Sequence, residues 1–282
     1  MEIIVGKTAG FCFGVKNAVS KSKKELEKQG KIYCLGELVH NKTVTDDLEK
    51  QGMIFIENIK EGKNEVIIRA HGIQKSVYYE AKKLGIELID LTCPKVLMIH
   101  NIIEDYNKKN YFVFLVGKED HPEVQGSVSF ADNFSIIENE DDIKKCIEDF
   151  KKSGKEKSLL IAQTTYSLEK YEYIAKIIKD ILKDQIEIKN TICLATKERQ
   201  EETKKIASEV DKMIIVGGKH SSNSNKLNEI ASKYCKEVFF IEDDDELDIK
   251  RINVNDKIGI MAGASTPYES IEKVIEKINK MC

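Results

Sequence analysis

Glu87-Leu88-Ile89-Asp90-Leu91-Thr92-Cys93-Pro94 is a short apolar run that breaks on a threonine and a cysteine, after which a proline opens an amphipathic stretch. Proline is tolerated in the first helical turn, where its missing N–H has no intrahelical partner to lose, so the octet reads as strand, loop and helix. The same grammar recurs twice. Glu2-Ile3-Ile4-Val5 leads through Gly6 to Cys12 and the helical pattern of Val15 to Gln29, and Glu187 to Thr191 leads through Ile192 to Cys193. These cysteines lie 81 and 100 residues apart, about one per third of the chain. Thiols delivered from equivalent loops at such separations converge only if three similar α/β units pack about a common centre. Three sulfurs at one point predict a metal site with one position left open.

Outward from those segments, apolar runs alternate with amphipathic ones along the whole chain, the pattern of an α/β fold with largely parallel strands. Strands are expected at Glu2 to Val5, Glu65 to Ile68, Tyr111 to Val116, Ser158 to Ile161, Lys212 to Val216 and Lys257 to Met261, with weaker ones at Lys31 to Leu35, Glu87 to Leu91 and Glu187 to Thr191. Helical periodicity is clear in Val15 to Gln29, Leu168 to Leu182 and Tyr268 to Ile278. Beyond the carboxyl ends of parallel strands lies the ligand crevice of such sheets. Nine strand-end segments carry Cys, His, Ser, Thr or Asn, whereas the opposite loops are rich in Lys, Glu, Asp and Gly. One shared cavity is the economical expectation.

Charge and composition exclude several classes. With 45 Lys and Arg against 48 Asp and Glu, interspersed, there is no basic face for nucleic acid. The N-terminus lacks the features of a signal peptide, and no apolar run nears the roughly 20 residues of a membrane span, so a cytoplasmic protein is expected. Seven cysteines in a reducing compartment argue against a disulfide framework. Cys34, Cys146, Cys235 and Cys282 lie within strand or helix patterns or at the chain end and read as buried apolar groups.

Cys12, Cys93 and Cys193 contain no close pair, unlike structural zinc sites, and lack ferredoxin spacing. They suit an iron–sulfur cluster with one iron free of protein ligands, against the plain alternative of three buried thiols. His40, His71 and His121 occupy strand-end loops; metal coordination is the alternative, but the thiolates already suit a soft centre, so these histidines are expected to bond an anionic substrate, while His100 falls on a helix pattern and is read as structural, and His220 is ambiguous. Ser221-Ser222-Asn223-Ser224-Asn225 and Ser265-Thr266-Pro267 precede helices, where hydroxyls, amides and unpaired N–H groups suit phosphate or diphosphate. Helix capping alone accounts for one such residue per helix. Glu123, two residues after His121, is the carboxylate placed for proton delivery, and Thr164 with Thr165 suits orienting a hydroxyl or relaying a proton; the bland readings are a solvated glutamate and a side-chain turn.

Taken together, Ala9-Gly-Phe-Cys12-Phe-Gly-Val15, Arg69-Ala-His71-Gly72, Asp90-Leu-Thr-Cys93-Pro94, His121-Pro-Glu123, Ala162-Gln163-Thr164-Thr165, Asn190-Thr-Ile-Cys193, Ser221-Ser-Asn223-Ser-Asn225 and Ala262-Gly-Ala-Ser265-Thr266 resemble the 4-hydroxy-3-methylbut-2-enyl diphosphate reductase family over nearly the whole chain. The resemblance implies a three-lobed trefoil with lobes at 14–92, 93–192 and 193–282, residues 1–13 joining the last. It implies a 4Fe-4S cluster on Cys12, Cys93 and Cys193, prone to become 3Fe-4S by iron loss. It also implies a prenyl diphosphate held by His40, His71, His121, Ser221, Ser222, Asn223 and Ser265, with Glu123 supplying protons and Thr164 positioning the hydroxyl-bearing end. Reductive loss of that hydroxyl as water would give isopentenyl and dimethylallyl diphosphates, the last step of the non-mevalonate pathway. Electrons would come from a ferredoxin or flavodoxin, and a monomer is expected. Rival readings are a quinolinate-synthase-like dehydratase, which needs no reductant, and a non-enzymatic iron–sulfur or anion-binding module.

Overall fold

A computed structural model describes residues 1–280. In chain order it contains β1 (Glu2–Val5), α1 (Phe13–Gln29), β2 (Ile32–Leu35), α2 (Lys42–Lys50), β3 (Met53–Ile56), β4 (Glu65–Ile68), α3 (Lys75–Leu84) and β5 (Glu87–Asp90). There follow α4 (Pro94–Lys108), β6 (Phe112–Val116), α5 (Pro122–Val128), β7 (Phe134–Ile137), α6 (Ile143–Lys152), β8 (Ser158–Ala162), α7 (Leu168–Leu182) and β9 (Ile186–Ile188). The last third holds α8 (Leu194–Ala207), β10 (Lys212–Val216), α9 (Ser222–Tyr234), β11 (Glu237–Ile241), β12 (Lys257–Ala262) and α10 (Tyr268–Asn279).

The strands form three four-stranded sheets, ordered β3-β2-β4-β5, β7-β6-β8-β9 and β11-β10-β12-β1. Every register described among them is parallel. If each sheet's strands are counted in the order the chain enters them, with β1 last in its own, all three share one topology. Backbone contacts group the chain into two compact units, one of Met1–Leu26, Val39–Met53 and the chain from Leu194 onward, the other of Glu27–Leu38 and Ile54–Cys193. Among the described residues no helix is long and apolar enough to cross a membrane.

Central strands are buried on both faces, so their sequences run apolar without alternation. On one face of the β6–β8 sheet Phe112, Phe114, Val116 and Leu160 pack with Phe150 and Tyr171; on the other Val113, Leu115, Leu159 and Ile161 pack with Ile99 and Ile103. The C-terminal sheet divides likewise, Ile214, Val216, Ile258 and Ile260 on one side and Met213, Ile215 and Met261 on the other. Burying such a side chain stabilises the fold by about 1.5–3 kcal/mol, which makes these layers a rigid platform for the strand-end loops.

The nine expected strands and three expected helices are present, with ends shifted by a few residues. β9 stops at Ile188 instead of reaching Thr191, because the Thr191 hydroxyl accepts the Ala162 N–H at 2.8 Å and so replaces a ladder bond with a side chain. All three prolines stand at helix starts: Pro94 and Pro122 open α4 and α5, and Pro267 caps α10. β3, β7 and β11, one outer strand of each sheet, are additional to the expected set.

Candidate active site

The remaining edge strand of each sheet delivers one cysteine. β1 leads to Cys12 immediately before α1, β5 to Cys93 at the cap of α4, and β9 to Cys193 immediately before α8. Each is anchored through its backbone to the loop beyond the neighbouring strand. The Cys12 N–H donates to Ala264 O at 3.0 Å, that of Cys93 to Ala70 O at 2.9 Å, and that of Cys193 to Thr164 O at 3.0 Å. A helix N-terminus favours negative charge, so all three positions suit thiolates. These cysteines are half-buried, and none of the six described cysteines is in a disulfide. Cys34, Cys146 and Cys235 differ in being buried with their thiols directed at backbone carbonyls, Gly36 O and Ile136 O at 3.3 Å and Asp211 O at 3.4 Å. Burial pushes the Cys34 thiol up to about 12 and the Cys146 thiol up to about 11, keeping both protonated. Cys282 lies outside the described residues.

In the unit containing Ile54–Cys193, the loops after β4, β6 and β8 bring His71, His121, Glu123 and Thr164 together in pairs. The rings of His71 and His121 meet edge to face with centroids 5.5 Å apart. His121 caps α5, its Nδ1 accepting the Glu123 N–H at 3.1 Å, so Nδ1 is unprotonated and the ring proton resides on Nε2. The Glu123 carboxylate accepts the Thr164 N–H at 2.6 Å and the Thr164 hydroxyl at 2.7 Å. Glu123 is 2% exposed. Burial pushes its carboxyl up to about 7 against the opposing pull of the two Thr164 bonds, so near neutrality it is poised between holding and releasing a proton. Gln163 braces the arrangement from below, its Oε1 accepting the Lys118 N–H at 3.1 Å and its Nε2 donating to the Thr165 hydroxyl at 3.0 Å.

In the other unit, the segments carrying His40, Ser221 and Ser265 are packed by close backbone approach. The Ser265 hydroxyl donates to His40 O at 3.1 Å, and a Cβ on Gly218 would stand 2.7 Å from that same oxygen, so only glycine fits there. Ser221 caps α9 by accepting the Ser224 N–H at 3.3 Å, which is the capping role the bland reading allowed it. Asn223, in the first turn, is buried, and neither atom of its side-chain amide has a hydrogen-bond partner among the described residues. A buried amide without partners costs stability unless something absent from the chain itself satisfies it. Ser222 is half-buried beside it.

His100 is buried on α4 and stacked on Phe130 with ring centroids 4.4 Å apart; burial pulls it down to about 4, so it is neutral at pH 7, as suits a structural residue. His220 is exposed. Two polar features have parts that the sequence did not assign. One is Gln163, there only a member of a motif. The other is α8, whose buried face is Thr196, Arg199, Gln200, Thr203 and then Ile206 and Ala207. The helical spacing i, i+3, i+4, i+7 is present, but in polar residues, so a search for apolar periodicity passes over it.

The chain matches the family described as LytB protein over residues 3–279. It is 41% identical to the 4-hydroxy-3-methylbut-2-enyl diphosphate reductase of Caldanaerobacter subterraneus subsp. tengcongensis, covering 100% of this chain and 98% of the relative. It is 40% identical to the protein of the same name from Clostridioides difficile, covering 98% of both. Among solved structures it resembles the E-1-hydroxy-2-methyl-but-2-enyl-4-diphosphate reductase from Plasmodium falciparum, with a TM-score of 0.89 and 30% identity over 98% of this chain and 87% of that one. A second, described as the (E)-4-hydroxy-3-methyl-but-2-enyl diphosphate reductase that ends the non-mevalonate pathway, gives a TM-score of 0.72 and 36% identity over 99% of this chain and 100% of the other. With a family match that spans both compact units and relatives matching end to end, this chain belongs to the LytB family.

Proposed function

We propose that this chain is a 4-hydroxy-3-methylbut-2-enyl diphosphate reductase: it takes (E)-4-hydroxy-3-methylbut-2-enyl diphosphate, two electrons and two protons to isopentenyl or dimethylallyl diphosphate and water. The observation that carries this reading is the Glu123–Thr164 pair, a buried carboxyl titrating near neutrality with a hydroxyl in its grip, which is what delivering a proton to a departing hydroxyl requires.

The same reading includes a 4Fe-4S cluster on Cys12, Cys93 and Cys193. The donor chemistry fits: these three thiols stand at helix N-termini, while the other described cysteines direct theirs at backbone carbonyls. When bound, such a cluster supplies electrons and, at its iron without a protein ligand, Lewis-acid polarisation of the substrate's hydroxyl. The protein's own part is to bind, orient and protonate. His40, His71, His121, Ser221, Ser222, Asn223 and Ser265 hold the diphosphate, the N-terminus of α9 contributing the positive end of its dipole. Anchoring that end fixes the short prenyl chain and removes much of the entropic cost of reaction. Thr164 orients the hydroxyl-bearing carbon, and Glu123 passes its proton through the Thr164 hydroxyl.

Three lobes at 14–92, 93–192 and 193–282, with 1–13 joining the last, extend the proposal, each built on one four-stranded sheet. The chain would act as a cytoplasmic monomer served by a ferredoxin or flavodoxin.

The test is anaerobic turnover of iron-loaded protein with reduced flavodoxin or ferredoxin. Both product diphosphates are expected to appear only when reductant is present. Failure to form them, or consumption of substrate without reductant, overturns the proposal.

A further inference from the structure

Residues 6–12 leave β1 as an open loop, and α8 reaches over it. The Glu202 carboxylate accepts the N–H groups of Lys7 and Thr8, both at 2.8 Å, and the Thr8 hydroxyl at 2.5 Å. One turn earlier Arg199 donates to Gly10 O at 2.6 Å and to Ala195 O at 3.2 Å. Gly10 has φ +95°, a left-handed conformation that turns the chain just before Phe11 and Cys12 and that side-chain-bearing residues resist. Among the described residues Cys12 itself is held only through its backbone, its N–H donating to Ala264 O at 3.0 Å and its carbonyl accepting the Lys16 N–H at 2.9 Å.

Arg199 is 4% exposed. Burying a guanidinium is expensive, and an apolar residue of similar length would fill the same space, so packing alone does not explain an arginine here. What the fork supplies is direction: it fixes the Gly10 carbonyl, while Glu202 fixes the two N–H groups upstream. We propose that Arg199 and Glu202 are positioning residues for Cys12, a clamp that presets where its sulfur stands and thereby how firmly iron is held there. This rests on the cluster assignment made above and adds to it the second layer that metal sites use to orient their ligands.

The test compares anaerobically reconstituted wild type with Arg199→Met, Arg199→Lys and Glu202→Gln, measuring iron and sulfide per chain and the rate of iron loss to EDTA. Melting of the iron-free forms is followed by circular dichroism alongside. Outer-layer substitutions at metal sites weaken metal binding by about 10–100-fold, so Arg199→Met and Glu202→Gln should release iron at least about tenfold faster while melting within a few degrees of wild type. Arg199→Lys, which keeps the charge and one donor direction, should recover part of the loss. If Arg199→Met does not fold, Glu202→Gln and Arg199→Lys decide the matter. Wild-type release rates in the folded variants overturn the clamp, as does faster release matched by an equal collapse in melting temperature. Failure of the underlying assignment looks different: wild type and Cys12→Ser then retain equal iron.

Discussion

Thr164 presents its amide hydrogen to one carboxylate oxygen of Glu123 at 2.6 Å and its hydroxyl to the other at 2.7 Å, so a single residue saturates one face of a buried acid. Both bonds favour the ionised form and oppose the burial that raises the group to about 7. Glu123→Gln keeps the shape and removes the proton; turnover should fall by about 10²–10⁴-fold with iron content unchanged. Thr164→Val deletes only the hydroxyl bond, so the carboxyl should rise further. Since the acid works when protonated, the alkaline limb of the pH–rate profile should move to higher pH. A limb that stays in place assigns it to another group.

Glu123 and His100 give the protein's stability opposite pH slopes. Glu123 titrates near 7 when folded against 4.5 when unfolded, so the folded state holds the extra proton and its contribution is lost as pH rises from about 4.5 through about 7. His100 titrates near 4 when folded against 6.5 when unfolded, so its contribution is present above 6.5 and lost as pH falls toward 4. Each shift corresponds to something on the order of 3 kcal/mol. Denaturant titrations from pH 5 to pH 8 should show Glu123→Gln flattening the alkaline decline and, from pH 7 to pH 4, His100→Gln flattening the acidic one. Profiles parallel to wild type would contradict the burial of that group.

Cysteine replacements should divide by location. Cys12→Ser, Cys93→Ser and Cys193→Ser should each abolish stable iron and sulfide retention in anaerobically purified protein, while Cys146→Ser, whose thiol already bonds Ile136 O, should load normally. Equal loading in all four would remove the cluster from the account.

Asn223 should show stability and function pulling apart. An unpartnered buried amide costs about 1–3 kcal/mol, so Asn223→Ala is expected to leave the ligand-free protein as stable as wild type or more so. The same change should raise the KM for the prenyl diphosphate about tenfold or more and diminish thermal protection by inorganic pyrophosphate. Destabilisation of the ligand-free form together with an unchanged KM would mean the amide serves the fold.

The three strands beyond the expected set occupy the same place in each sheet, the outer edge beside the first strand, and they end on one repeated phrase: Ile56-Glu57-Asn58, Ile137-Glu138-Asn139 and Ile241-Glu242-Asp243. Asn58, Asn139 and Asp243 each cap a 3-10 turn, and two of the glutamates turn back on the ligand loops, Glu138 accepting the Glu119 N–H and Glu242 that of Lys219, the latter at 2.6 Å. A search for internal repeats at that phrase would have found all three strands. Arg199 and Glu202 left no comparable trace, because each acts on backbone groups far away in sequence, and nothing in their own neighbourhood marks the partner.

Local chemistry decided what could be read in one dimension. Apolar runs of strand length, helix-starting prolines and the residue types at strand ends follow from steric and hydrogen-bonding rules that act over a few residues, and they were enough to announce three-part parallel α/β architecture, the candidate ligand residues and the family likeness. Tertiary structure alone decided which of those groups acquire unusual properties. Glu123 becomes a neutral-range acid only because folding buries it, with the bonds from Thr164, forty-one residues away, holding that rise in check, and Asn223 is left wanting a partner only because its helix start is buried. Desolvation and long-range hydrogen bonds are properties of an assembled interior, and no stretch of chain contains them beforehand.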